Sequence, residues 1–240
     1  MKIKSTMPAM LMLATTLTAV TVPAQAGKWY VGAALSSIDV DSIDTSSTQA
    51  IAGVTRNLNI GSDSDTGINL KIGKTVLETS SGALDIELNY AQSDHDVENI
   101  QFQNILFFNG AAEGELEADS LTLRAAYKFK TGTAFQPYVG IGLGLLDLSV
   151  DARYGGSIGT APQSQPPFAT GSDEALTVEF RVGTEFKFSD NWVAFAEYSY
   201  TNVDDVNFSR LGGGPGGLAS TTQEGDFDFD AFTIGLNYKF

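Results

Sequence analysis

Phe232-Thr233-Ile234-Gly235-Leu236-Asn237-Tyr238-Lys239-Phe240 closes the sequence in strict alternation. Phe232, Ile234, Leu236, Tyr238 and Phe240 fall on one face of a strand, and Thr233, Gly235, Asn237 and Lys239 on the other. In water, an apolar strand ending on an exposed aromatic invites edge-to-edge aggregation. In lipid the same pattern is what a barrel strand needs: apolar outward, small or polar inward, aromatics at the interface.

Upstream, the alternation recurs in segments of about ten residues separated by turn chemistry. Trp29, Val31, Ala33 and Leu35 oppose Tyr30, Gly32, Ala34 and Ser36; Ile68, Leu70 and Ile72 oppose Asn69, Lys71 and Gly73. Leu84 to Ala91, Leu121 to Phe129, Tyr138 to Leu145 and Leu176 to Gly183 repeat the pattern. Between Trp192 and Thr201 the parity is mixed, because Phe195 shares a face with Glu197; Tyr198 and Tyr200 read as outward. With the final strand the count is eight. The expected fold is all-β, a transmembrane antiparallel eight-stranded up-and-down barrel. Short connections are expected near Thr75–Gly82, Lys130–Ala134 and Phe188–Asn191. Long loops are expected near Val40–Asp65, Asp94–Ala118, Ser149–Glu174 and Asp204–Asp226. That alternation of lengths puts both termini on the periplasmic side. The alternative is a soluble eight-stranded lipocalin-like barrel, which would bury the apolar face inward around a ligand and would have to account for the charges on the opposite face.

At the other end, Lys2 and Lys4 precede an apolar stretch from roughly Met7 to Val22 and the A-x-A site Ala24-Gln25-Ala26. Residues 1–26 are therefore expected to be a cleaved signal peptide and residues 27–240 the barrel domain. No later stretch has about eighteen consecutive apolar residues, which excludes a helical membrane protein. Cysteine is absent, so neither a disulfide framework nor a lipidated N-terminal cysteine is available. Removing two lysines leaves 14 − 2 = 12 bases against 29 acids, a net −17. Such a chain carries no basic nucleic-acid footprint. A mean hydropathy of −0.02 resembles a soluble protein only because the two faces of each strand cancel.

The inward parity collects Lys71, Asp85, Glu87, Arg124, Lys128, Glu179, Arg181, Glu185, Glu197 and Lys239, five bases and five acids. An eight-stranded barrel is just wide enough for side chains to fill it, and buried charges there must pair. A lumenal network centred on Arg124 with Glu87 and Glu179 is the favoured reading, a narrow aqueous pore the alternative. The inward glycines Gly140, Gly142 and Gly144 leave room for long side chains opposite.

Most acids lie outside these segments, from Asp39, Asp41 and Asp44 to Glu224, Asp226, Asp228 and Asp230. Without EF-hand spacing they read as a solvated acidic rim, with divalent-cation binding the alternative. The run Ile100 to Phe108 is expected to extend a hairpin above the membrane; otherwise it marks a partner surface. Pro162–Pro167 and Gly212–Gly217 are low-complexity. His95, the only histidine, is expected as an exposed loop residue. Beside Ser93, Asp94 and Asp96 it leaves a lipid-modifying acyl hydrolase as a distant alternative. No catalytic, cofactor or metal residue is assigned.

Gly27-Lys-Trp-Tyr-Val-Gly-Ala-Ala34, Glu87-Leu-Asn-Tyr90, Pro137-Tyr-Val-Gly-Ile-Gly-Leu-Gly144, Glu197-Tyr-Ser-Tyr200 and Gly235-Leu-Asn-Tyr-Lys-Phe240 resemble the eight-stranded outer-membrane barrel superfamily. That group takes in opacity-type surface proteins, OmpX-like barrels and the barrel half of OmpA. The resemblance covers the strands and not the loops. It implies a Gram-negative outer-membrane location and contact with outer-membrane lipids including lipopolysaccharide. It also implies assembly machinery that reads Tyr238 and Phe240. A monomer is expected. The chain ends at its barrel strand, so no peptidoglycan-binding domain of the OmpA kind is expected, and no OmpW-type channel signature is evident. Family members include adhesins, serum-resistance factors, small-solute pores and anchors, so fold does not choose among roles. A structural or surface-interaction role, the latter through a ligand met by the loops, is the favoured expectation, and a small-solute porin the alternative.

Overall fold

A computed structural model describes residues 29–40, 43–48, 55–62, 65–102, 111–155, 167–214 and 217–240. The expected signal peptide lies outside them. The described residues form ten strands: β1 (Trp29–Val40), β2 (Ile43–Thr48), β3 (Thr55–Ser62), β4 (Asp65–Glu78), β5 (Gly82–Phe102), β6 (Ala111–Phe129), β7 (Phe135–Gly155), β8 (Pro167–Lys187), β9 (Trp192–Gly214) and β10 (Gly217–Lys239). At membrane level the wall has the expected eight strands, β1 and β4 to β10. All pair antiparallel, and β1 closes on β10 from Tyr30↔Lys239 to Val40↔Phe229.

The expected long loops are mostly strand. The segment 40–65 supplies β2 and β3, which pair with β10 and β5 and continue the wall upward where β1 and β4 stop. β5 and β6 pair up to Val97↔Gly114, β6 and β7 up to Ala111↔Gly155, and β9 and β10 up to Gly214↔Gly217. The tube thus rises well past the lipid. Above the belt the described outward positions are polar, a pattern that a search for apolar parity passes over. Of the Ile100–Phe108 run, Ile100–Phe102 belong to β5; 103–110 lie outside the described residues.

Outward side chains form the lipid belt. On β7 they are Phe135, Val139, Ile141, Leu143 and Leu145; on β8, Phe186, Val182, Phe180, Val178 and Leu176. From Phe135 to Leu145 about ten rises of 3.4 Å, tilted near 40°, span about 26 Å, close to the apolar band of outer-membrane barrels. Aromatics crowd the short-turn end, where Trp192 packs edge-on against Tyr238 at 5.1 Å and Phe135 lies 4.8 Å from Phe186. The belt ends abruptly at its upper edge. One step beyond the last apolar side chain come Asp119 on β6, Asp147 on β7, Glu174 on β8 and Asp230 on β10, a carboxylate collar. Asp119, Asp147 and Glu174 are direct cross-strand neighbours. Among the described residues no group of three or more His, Cys, Asp or Glu is placed to hold a metal.

One stretch of wall is irregular. β8 and β9 pair continuously from Lys187↔Val193 to Thr177↔Val203, then not again until Ala169↔Arg210. Over 170–176 β8 still pairs with β7, and over the facing stretch β9 pairs with β10 except at a bulge between Gly225 and Phe227.

Candidate functional site

The inward parity of every strand converges on the lumen, so the lumen is the candidate site. Nine of the ten charged residues expected there are buried, and Lys239 is partly buried at the periplasmic mouth. They form two tiers. In the lower tier Lys128 donates to Glu185 at 2.5 Å and meets Asp85 at 2.6 Å, while Lys239 reaches the other oxygen of Glu185 at 3.3 Å. Asn237 adds a donor to Glu185 at 3.2 Å.

The upper tier is centred on Arg181, not on Arg124 as the sequence suggests. Arg181 has no side-chain exposure and sits 2.6 Å from Glu87, 3.0 Å from Glu197 and 4.0 Å from Glu179. Arg124 donates to Glu179 at 2.5 Å and lies 3.8 Å from Glu197. Glu87 and Arg124 are register neighbours, so sequence reasoning pairs them. The guanidinium leans the other way because Gly142 separates Arg124 from Glu179 across β7 and offers no side chain to block the span. A Cβ on Gly142 would stand 3.3 Å from both Arg124 Cγ and Glu179 Cβ.

Two tyrosines complete the tier. Tyr30 Oη donates to Glu87 at 2.5 Å, and Tyr138 Oη donates to Glu197 at 2.8 Å. Each ring lies against the glycine opposite it in register, Tyr30 on Gly73 and Tyr138 on Gly183. Glu87 and Glu197 are thus each held from a second side, which multiplies the hydrogen bonds that offset desolvation. Lys71 stands apart: its ammonium rests 3.5 Å from the Phe195 ring centroid, and among the described residues it makes no ion pair. Phe195 is inward with Glu197 and Tyr198 and Tyr200 are exposed, which resolves the mixed parity of β9.

Above the charges lies a polar shelf, with Ser36 hydrogen-bonded to Thr233 at 2.7 Å and Asn69 donating to Ser36 at 2.5 Å. Over that comes a layer absent from the sequence reading: Leu116, Leu146, Leu148, Ala175 and Val203, all buried. The available clue was the doublet Leu145-Leu146, where the apolar residues change face. His95 is also inside. It is not an exposed loop residue, because β5 continues past Asp94 and keeps its parity; His95 is buried, with Nε2 2.9 Å from Ser93 Oγ. Tyr238 and Phe240 face outward at the short-turn end.

A family profile described as "Outer membrane protein beta-barrel domain" matches residues 10–240. No curated protein matches the chain. Among solved structures, the outer membrane protein OprG of Pseudomonas aeruginosa is similar at 20% identity and a TM-score of 0.59, over 90% of this chain and 96% of that one. The outer membrane protease OmpT of Escherichia coli is similar at 9% identity and a TM-score of 0.59, over 92% and 99%. Neisserial surface protein A is similar at 15% identity and a TM-score of 0.50, over 88% and 97%. These identities speak to fold alone.

Proposed function

The chain belongs to the outer membrane protein β-barrel family and resides in the bacterial outer membrane, and from that premise we propose a structural or surface-interaction role with a filled lumen. The observation that carries the reading is Arg181, fully enclosed and held among Glu87, Glu197 and Glu179, beneath a buried apolar layer. A conducting path would have to part both. On this proposal the barrel is a monomer among outer-membrane lipids, inserted by assembly machinery that reads Tyr238 and Phe240. Its upper rim is offered to a surface ligand. A role without catalysis is part of the proposal, supported by the burial of the Ser93–His95 pair within the tube. Likeness to a protease at 9% identity does not bring that activity here.

A narrow porin is the second reading, favoured by one observation. Asn89 is buried with neither amide atom hydrogen-bonded, Arg124 Nε is likewise unpartnered, and Lys71 lines the same gap. Polar groups in that state are where water would enter. Conductance of the refolded protein in a planar bilayer tests the choice. Silence is the expected result; steady channels whose ion selectivity shifts in Arg124→Ala would overturn the filled-lumen proposal.

A further inference from the structure

The β1/β10 seam closes the barrel, and on its lumenal side the two strands offer each other little. Gly32 faces Asn237 and Ala34 faces Gly235 in register; higher up, Ser36 and Thr233 share a hydrogen bond at 2.7 Å. The longer inward side chains of both strands reach across the lumen instead. On β10, Lys239 and Asn237 donate to different oxygens of Glu185 on β8, at 3.3 and 3.2 Å. On β1, Tyr30 donates to Glu87 on β5 at 2.5 Å, and its ring centroid lies 4.9 Å from Lys128 Nζ. Lys128, on β6, also holds Glu185 at 2.5 Å and Asp85 at 2.6 Å. Both edges of the seam thus converge on one buried ammonium.

The charges of this cluster balance only when the seam is shut. Lys128 and Lys239 stand against Asp85 and Glu185, two against two. Asp85, Lys128 and Glu185 belong to β5, β6 and β8, which are joined through β7 by ladders of their own. Lys239 arrives only with β10, so withdrawing that strand leaves two buried carboxylates to one ammonium. A buried charge that loses its partner is costly. Undocking β1 takes the Tyr30 hydroxyl from Glu87 and the Tyr30 ring from Lys128 as well. Backbone contacts reinforce the same end: Lys239 N donates to the Asn191 carbonyl at 2.7 Å and Phe240 N to the Trp29 carbonyl at 3.1 Å.

We propose that the Lys128 cluster is a latch on the closing seam: the barrel opens between β1 and β10, and Lys239 holds it shut by completing the charge balance around Glu185. The latch acts at the short-turn mouth, below the Arg181 tier. Neither conduction through the lumen nor a ligand at the upper rim bears on it.

Backbone hydrogen exchange of the full chain in phosphatidylcholine discs reads local opening of the seam. Lys239→Met should speed exchange of peptides covering 29–36 and 232–239 about fivefold, what one net hydrogen bond supplies. Exchange over 138–145, on the opposite wall, should stay unchanged, which also shows that the variant is folded. Lys239→Gln, which keeps a polar group at the mouth, should behave in the same way. Glu185→Gln in the Lys239→Met background restores the balance, one ammonium to one carboxylate, and should slow the seam back toward wild type. A merely structural role for Glu185 predicts further acceleration in that double variant. Unchanged seam exchange in both Lys239 variants, equal acceleration over 138–145, or a double variant faster than Lys239→Met would each overturn the latch.

Discussion

Replacing Arg181 by methionine removes the centre of the upper charge tier while keeping most of the side-chain volume. The variant leaves Glu87 with Tyr30 alone among its close partners, and Glu197 with Tyr138 and the more distant Arg124 at 3.8 Å. Breaking a buried pair by removing one partner costs about 3–5 kcal/mol, because the remaining charge is uncompensated. Two stranded carboxylates place Arg181→Met at the upper end of that range. Arg124→Met strands chiefly Glu179, so it belongs at the lower end, about 3 kcal/mol. Lys71→Met removes a cation that makes no ion pair among the described residues, though its charge still acts on Glu87 and Glu197, and leaves an apolar chain on Phe195; the loss should be smaller than in Arg124→Met. Urea unfolding of the barrel in lipid, followed by the fluorescence of Trp29 and Trp192, supplies the three midpoints. Glu87→Gln in the Arg181→Met background should recover part of the loss, a coupling that a double-mutant cycle isolates. Arg181→Met unfolding within about 1 kcal/mol of wild type, or Lys71→Met proving as costly, would refute the two-tier account.

Asp119 sits above the membrane-spanning segments, and burial raises its carboxyl pKa, with Asp147 and Asp94 adding to the rise against the Tyr90 hydrogen bond. A folded-state pKa above the unfolded value means stability falls as pH rises through that interval. Asp119→Asn should therefore raise the unfolding midpoint at neutral pH, and the gain should vanish in acid; a gain independent of pH would contradict it. Gly183→Ala would set a Cβ 2.5 Å from Tyr138 Cζ and 2.7 Å from the Ala196 carbonyl. A loss of about 1–3 kcal/mol is expected, and a neutral outcome in the same unfolding assay would mean the ring is not seated as described. Protease added to intact cells should cut within 156–166, whereas cleavage at Lys130–Ala134 would reverse the orientation; fragment masses decide.

The belt and the lumenal inventory were legible because each depends only on which face a residue occupies. Period-2 alternation assigns that without knowing any partner. Partners require register, and in a barrel also the far wall. Arg124 beside Glu87 is a sound local pairing, yet Gly142 opens a path to Glu179, and Arg181 reaches Glu87 from across the lumen. The height of the tube was hidden for a different reason. Above the belt the described outward side chains are polar, so β5 from Asp94 to Phe102 and β10 from Gly217 to Asp230 read as loop. His95 was misplaced with them. The inward Leu146, Leu148 and Leu116 were passed over because an apolar residue on the polar parity looks like the end of a strand.

β7 continues from Leu145, the top of the belt, to Gly155, paired with β6 along the way. Ten further tilted rises lift that rim about 26 Å clear of the hydrocarbon. The protein is therefore built as a stalk as much as an anchor. Whatever meets its crown does so beyond the headgroups. Shortening β7 and β6 together by matched pairs would lower the crown without disturbing a single lumenal charge.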